Sequence, residues 1–424
     1  MASSTKEKGE LTKGFGFETK SGKKGYGQIT DEAVNALKSR IGVIRTRNEK
    51  EWELEEQRVS AGGIRRSAMS TGDYNPLYLD KDYAEQSPYG TLVCPPWTLT
   101  GIEVTNAARD GMPGLHAWFR ETTLEWYQPV LLGDYVYSKG WLTEVHVVPS
   151  KTTGQAVIHS YENVGFNDRD EVIGRMYTSW HRAERQTSKK IARNQDMRGL
   201  AEYAAEDVEK IELDYAHEVR RGDQPRYWED VEIGDPLPLV VKGPTNQAQR
   251  SVGEGGGGRW ARGDPGDWSH CHSNAFKLWE RHPGLPFVNE WGIPEVPLVI
   301  HNSNERCQRY LGLPGAYDAG YQRINWTVHM LSNWGGDLSF LSKLTIRFPT
   351  FNIMGDTTWS YGEVIGKRVD DERHIVEIEV WNENQLGHKV TAGTAEIILA
   401  SKDAPEKALW PIPAKQPEPP PTPE

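Results

Sequence analysis

Asp73-Tyr74-Asn75-Pro76 sets a carboxylate, a carboxamide and a turn-forming proline side by side within Ser70–Asp80. Pro76 restricts Asn75 to extended or turn geometry, so the stretch reads as a rigid loop able to aim Asp73 and Asn75 at one point. A carboxylate and a carboxamide held this way suit acid–base work on a bound group. The structural alternative is an Asx-type turn capping a helix that starts near Lys81, and on the residues alone the two readings stand level.

Histidines supply the other candidates. His301 closes the run Pro297-Leu298-Val299-Ile300-His301 and is followed by Gly312-Leu313-Pro314-Gly315. Gly266-Asp267-Trp268-Ser269-His270-Cys271-His272 places His272 five residues after Asp267. The two segments are expected to belong to one site interrupted by an insertion, with Asp267 or His272 reaching towards His301. A buried, hydrogen-bonded histidine is the alternative for His301, and a surface loop for His270 and His272. Alternating ligands at His270-Cys271-His272 are awkward for one tetrahedral zinc, and no C-x-x-C or H-E-x-x-H partner occurs, so no metal is expected. The run Gly253–Gly258 lacks the Lys-Ser/Thr of a phosphate-cradling loop and reads as a flexible segment.

These residues need a frame. At 424 residues the chain suits two domains. A formal charge of −11 argues against a nucleic-acid surface. No apolar run is long enough to span a bilayer, and the polar start lacks the apolar core of a signal peptide. Cys94, Cys271 and Cys307 are scattered without disulfide or metal spacing, which suits reduced thiols in the cytoplasm.

Boundaries are expected as a mobile segment over 1–25, a first domain over 26–184, a charged connector over 185–224, a second domain over 225–402 with an insertion near 253–296, and a proline-rich tail over 403–424. An internal repeat argues for the two domains: Gly133-Asp134 and Gly355-Asp356 each follow a proline and precede a strand-like run, with a third copy at Gly234-Asp235. Later in each half, two β-rich runs flank a polar turn, Asn167–Asp170 and Asn382–Gly387. Each half thus reads as an opening strand and loop, one substantial helix and three or more long antiparallel strands, an α+β arrangement. In the second half the helix falls over 321–331, with Ile324, Val328 and Leu331 as its core face. Arg323 on that helix either meets a phosphate or is solvated.

Thr71–Leu77 and Asp80–Ala84 resemble the hydratase motif of the MaoC-like (R)-specific enoyl-CoA hydratases and dehydratases, S-G-D-x-N-P-hydrophobic-H followed by acidic and alanine positions. Tyr78 stands where that family keeps its catalytic histidine. Pro88–Pro96 resembles the loop leading into the family's central helix, Glu125–Pro129 the strand after it, and Gly335–Leu341 with Leu344–Phe348 the corresponding strand of the second half. His301 falls on the catalytic-histidine position of a second, degenerate motif, with Val296 where the aspartate belongs and Ser303 where an acid belongs. The resemblance implies a double hotdog, two tandem modules each wrapping a sheet around a helix. It implies hydration of a 2-enoyl-CoA or dehydration of a 3-hydroxyacyl-CoA, with no cofactor beyond the coenzyme A of the substrate. His301 would be the acid/base, Asp73 and Asn75 a water-orienting or substrate-binding pair, Gly90 a backbone support for the oxyanion, and Tyr78 and Arg323 ligand contacts. The first half would be the binding half. A soluble homo-oligomer, dimer or higher, is expected. An acyl-CoA thioesterase on the same fold and a silent acyl-CoA-binding partner subunit are the alternatives.

Overall fold

Three Gly-Asp dipeptides make the same turn three times. Gly133, Gly234 and Gly355 adopt left-handed φ values of 93°, 95° and 101°, which favour glycine. In each copy the aspartate Oδ2 accepts the N–H of the residue three places earlier: Leu131 at 2.8 Å, Glu232 at 2.9 Å and Ile353 at 2.8 Å. The repeat is therefore a repeated piece of turn chemistry, and two of its copies open the long strands that follow. The polar turns repeat as well. Asn167 Oδ1 accepts from the N–H groups of Arg169 and Glu171, and Asn384 Oδ1 from those of Leu386 and His388.

The computed structural model describes residues 28–47, 58–107, 111–150 except 113, 154–184, 199–247 and 287–423 apart from 290, 292, 296, 406, 408 and 415. Asp267, His270, His272, the Gly253–Gly258 run and the segment 1–25 lie outside the described residues. The first half carries helices α1 (Asp31–Lys38), α2 (Ala61–Thr71), α3 (Pro76–Leu79) and α4 (Lys81–Gln86) and strands β1 (Arg45–Arg47), β2 (Leu115–Trp126), β3 (Val136–Ser150), β4 (Gly154–Asn167) and β5 (Val172–Glu184). Helix α5 (Ala205–Ala216) follows. Then come β6 (Val240–Lys242), a small hairpin of β7 (Phe287–Val288) and β8 (Pro294–Glu295), α6 (Asn304–Leu311) and α7 (Gly320–Gly335). The chain closes on β9 (Ser339–Arg347), β10 (Thr358–Asp370), β11 (Arg373–Asn384) and β12 (Lys389–Leu399).

All strands but the hairpin form one antiparallel sheet in the order β1-β3-β4-β5-β2-β9-β12-β11-β10-β6. The order is a palindrome of modules: β3-β4-β5-β2 mirrors β10-β11-β12-β9 across a central seam. This is a double hotdog. At the seam β2 and β9 pair from Glu121↔Arg347 to Glu125↔Lys343. Ion pairs of 2.5 Å and 3.6 Å close its two ends, and a Thr123–Thr345 hydroxyl bond of 3.0 Å sits between them.

Helix α7 is the core of the second module. Ile324, Val328 and Leu331 are fully buried, but so is most of the rest of the helix, because it lies between the sheet and the first module's α2. Burial on every side forces partners onto its polar residues. In the first module the described central element is a 3-10 turn at Pro96–Ile102, which buries Trp97, Leu99 and Ile102. The hydroxyls of Thr98 and Thr100 bond the carbonyls of Pro95 and Trp97, each three residues back. Such back-bonding competes with regular α-helical geometry. No helix among the described residues is long and apolar enough to cross a membrane.

Candidate active site

Helix α2 stops at Gly72, whose φ of 71° turns the chain back. Asp73 comes next, its Oδ1 accepting the N–H of Asn75 at 2.9 Å. Asn75 Oδ1 in turn accepts the N–H of Leu77 at 3.0 Å and starts α3, with Pro76 at its first position. Two nested caps thus fix both side chains. Capping at the next helix falls to Asp80, which accepts from Tyr83 N–H.

Asp73 is fully buried, and its partners come from the far side of the chain. Arg220 Nη2 donates to Asp73 Oδ1 at 3.1 Å, and His329 Nε2 lies 3.5 Å from the same oxygen. His329, fully buried on α7, also stands 3.0 Å from Glu218 Oε1. One turn further along the helix, Asn333 donates to Glu218 Oε1 at 3.0 Å. Glu218 and Arg220 alternate along the non-helical segment after α5, so both side chains point to the same side of it. Lys242, at the end of β6, is buried nearby and feels both carboxylates.

Two acidic side chains, Asp73 and Glu218, thus meet Arg220 and Lys242 with the His329 ring among them. Burial opposes ionisation of Glu218, yet the His329 ring, the Lys242 ammonium and the Asn333 amide outweigh it and hold the carboxyl down at about 2. Burial lowers the Lys242 ammonium against the pull of Glu218 and Asp73. The second oxygen of Asp73, Oδ2, is buried and has no hydrogen-bond partner among the described residues. A buried carboxyl oxygen without a partner stands out, because nearly all such atoms are hydrogen-bonded. Among the described residues no group of three His, Cys, Asp or Glu side chains is arranged to hold a metal.

A cavity of about 750 Å³, counted out to its open mouth, runs beside this cluster between the two modules. Asn75, Tyr78, Tyr89 and Val130 line it from the first module, and Leu331, Ser332 and Phe340 from the second. Its wall is mainly apolar, with a few polar groups, the usual character of a small-molecule site. Tyr78 is almost wholly buried, edge-on to Trp97 with ring centroids 6.0 Å apart. Burial, reinforced by the Asp73 charge, pushes its phenol well above the ordinary value, so it stays an O–H donor at neutral pH.

Other sequence candidates sit elsewhere. His301 ends a 3-10 turn, Pro297–His301, and its Nδ1 lies 2.8 Å from the Tyr317 carbonyl. Its ring also meets that of Tyr317 edge-on at 4.4 Å. The imidazole that reaches Asp73 is therefore His329 and not His301. Gly90 needs glycine for its φ of 68°, while a side chain there would meet nothing. Its N–H already bonds the Ser87 carbonyl at 3.1 Å, so it is not a waiting oxyanion donor. Arg323 is neither solvated nor facing a ligand: its guanidinium pairs with Asp318 at 3.1 Å and donates to the carbonyls of Thr350 and Val390. Sequence reading missed His329, although a histidine beside Val328 with an asparagine four residues on marks one polar stripe along an otherwise buried helix. Nothing in the sequence marks Glu218, Arg220 or Lys242 beyond their charge.

Comparison with known proteins agrees with this architecture. Residues 50–176 match a family model described as FAS1-like, dehydratase domain region. A stretch of 93 residues is 28% identical to a 3-hydroxybutyryl-CoA dehydratase of Methylorubrum extorquens, covering 22% of this chain. The match spans 59% of that relative's length. A solved MaoC-like dehydratase aligns over 86% of this chain and 99% of its own, with a TM-score of 0.58 at 16% identity, a likeness of fold.

Proposed function

We propose that this chain, which resembles dehydratases in its first module and a MaoC-like dehydratase in fold, adds water across a 2-enoyl-CoA thioester or removes it from a 3-hydroxyacyl-CoA. The observation that carries this reading is the Asp73–His329 pair, assembled from both modules beside an apolar cavity that Asn75 and Tyr78 line. Water addition requires one group to take a proton as oxygen attacks C3, and one to give a proton to C2. In this reading Asp73 Oδ2, the oxygen without a partner, takes the water proton, and His329 delivers to C2 the proton it receives from Asp73. That proton crosses the 3.5 Å contact between the two residues before it reaches C2, so the pair ends as it began. Asn75 places the water at the cavity end. Tyr78, held protonated, donates to the thioester oxygen as enolate charge develops there. Arg220 and Glu218 keep Asp73 and His329 in register.

A second reading keeps His301 as the acid/base. A carbonyl can only accept, so the bond to Tyr317 places a proton on His301 Nδ1 and leaves Nε2 as the nitrogen that takes up a proton. Crotonyl-CoA tests both. The expected result is loss of the enoyl thioester absorbance with no free thiol released. Thiol release would instead mark a thioesterase, and binding without turnover a silent acyl-CoA binder. Activity lost in His329→Gln and kept in His301→Gln favours the first reading; the reverse outcome favours the second.

A further inference from the structure

The chain's last described segment is a strap packed beside the cavity. After β12 it returns to the body of the protein, burying Leu409 and packing Trp410 and Ile412 against the main core. Trp410 stacks on Tyr89, with centroids 4.8 Å apart and planes 8° from parallel. Its ring also meets that of Phe340, at 5.7 Å. Tyr89 and Phe340 both line the cavity, one from each module. A few residues on, Ile412 N–H donates to the Tyr127 carbonyl at 2.7 Å, next to the Gln128–Val130 wall of the same cavity. Farther along, the tail passes Gly42 so closely that a Cβ there would lie 2.0 Å from the Pro420 carbonyl oxygen. Pro411 and Pro413 flank Ile412 and stiffen the strap, so little conformational freedom is lost in holding it down.

We infer that this strap, through Trp410, decides which acyl chains the cavity accepts. One indole touches a lining ring from each module, so it fixes how far apart those walls stand. Trp410 is a positioning residue: it shapes the cavity through Tyr89 and Phe340 without lining it. The inference rests on the reading of the cavity as an acyl site, and the test keeps the two apart.

Binding of butyryl-, octanoyl- and dodecanoyl-CoA is measured by calorimetry on the full chain and on Trp410→Ala. Saturated thioesters are used so that turnover plays no part. The expected result is a shift of roughly tenfold or more in the ratio of dodecanoyl to butyryl affinity towards the longer chain, the scale on which a pocket discriminates small apolar differences. Trp410→Phe, which keeps a stacking ring, restores the parent ratio. A variant that folds and binds all three chains in the parent ratio overturns the inference, as does one that weakens all three equally. Should Trp410→Ala fail to fold, Trp410→Leu keeps an apolar filler without the flat ring, and the same ratio decides. If the parent binds none of the thioesters, it is the acyl-CoA reading that fails, whatever the variants do.

Discussion

Two segments of this protein resemble one family motif, and each carries only one of the two residue types that the motif pairs. The first-module loop keeps the carboxylate, Asp73, and has Tyr78 where a histidine would stand. The second-module segment keeps an imidazole, His301, and has Val296 where an aspartate would stand. Their surroundings differ as much. Asp73 is fully buried among Arg220, His329 and their partners. His301 packs with Tyr317 and bonds its carbonyl. The comparison teaches that a carboxylate with no histidine on its own loop can meet one across a module interface, because the interface brings α7 to face the loop.

The largest effect expected is at Asp73. On the proposed reading Asp73→Asn lowers crotonyl-CoA hydration by about 10²–10⁴-fold, the usual worth of a general base. A thermal melt accompanies the measurement, because an isosteric amide also weakens the Arg220 contact. His329→Gln is expected to fall in the same range, whereas His301→Gln changes the rate by less than about threefold, since it removes no proposed proton carrier. Equal losses at the two histidines would erase the contrast between the segments. Tyr78→Phe is expected to cost about 10²-fold in kcat with little change in KM, as for loss of one oxyanion donor. An unchanged kcat would reduce Tyr78 to a wall residue.

The smallest effect is in stability and follows the pH. Glu218 is held at about 2 in the fold, below its unfolded value near 4.3. Its contribution is therefore fully present above that unfolded value and is lost as the pH falls towards about 2. The melting temperatures of the parent and Glu218→Gln should differ at neutral pH and converge in acid. A gap that stays constant down to pH 2 would show that Glu218 is not held ionised by the cluster.

Much of the frame was legible because its signals are local. The Gly-Asp turns, the asparagine turns and the helix around 321–331 depend on residues within a few places of one another, and the structure has all of them. The Asp73–Asn75 loop was legible as a rigid loop for the same reason: its caps are bonds to neighbours two residues on. The site was not. His329 is 256 residues and Arg220 147 residues from Asp73, and only the folded arrangement of the modules brings them together. Gly90 and Arg323 show the converse limit: a residue type suited to ligand contact says nothing about whether its donors are already taken.

The β2–β9 seam carries a last consequence. Because it is part of a hydrogen-bonded ladder running without a break from one end of the sheet to the other, neither half owns a closed boundary of its own. A fragment ending before β9 would leave β2 with a raw lateral rim, the kind of open template on which chains aggregate. Urea should therefore melt the protein in a single sigmoid, and severed halves should be recoverable only when expressed together.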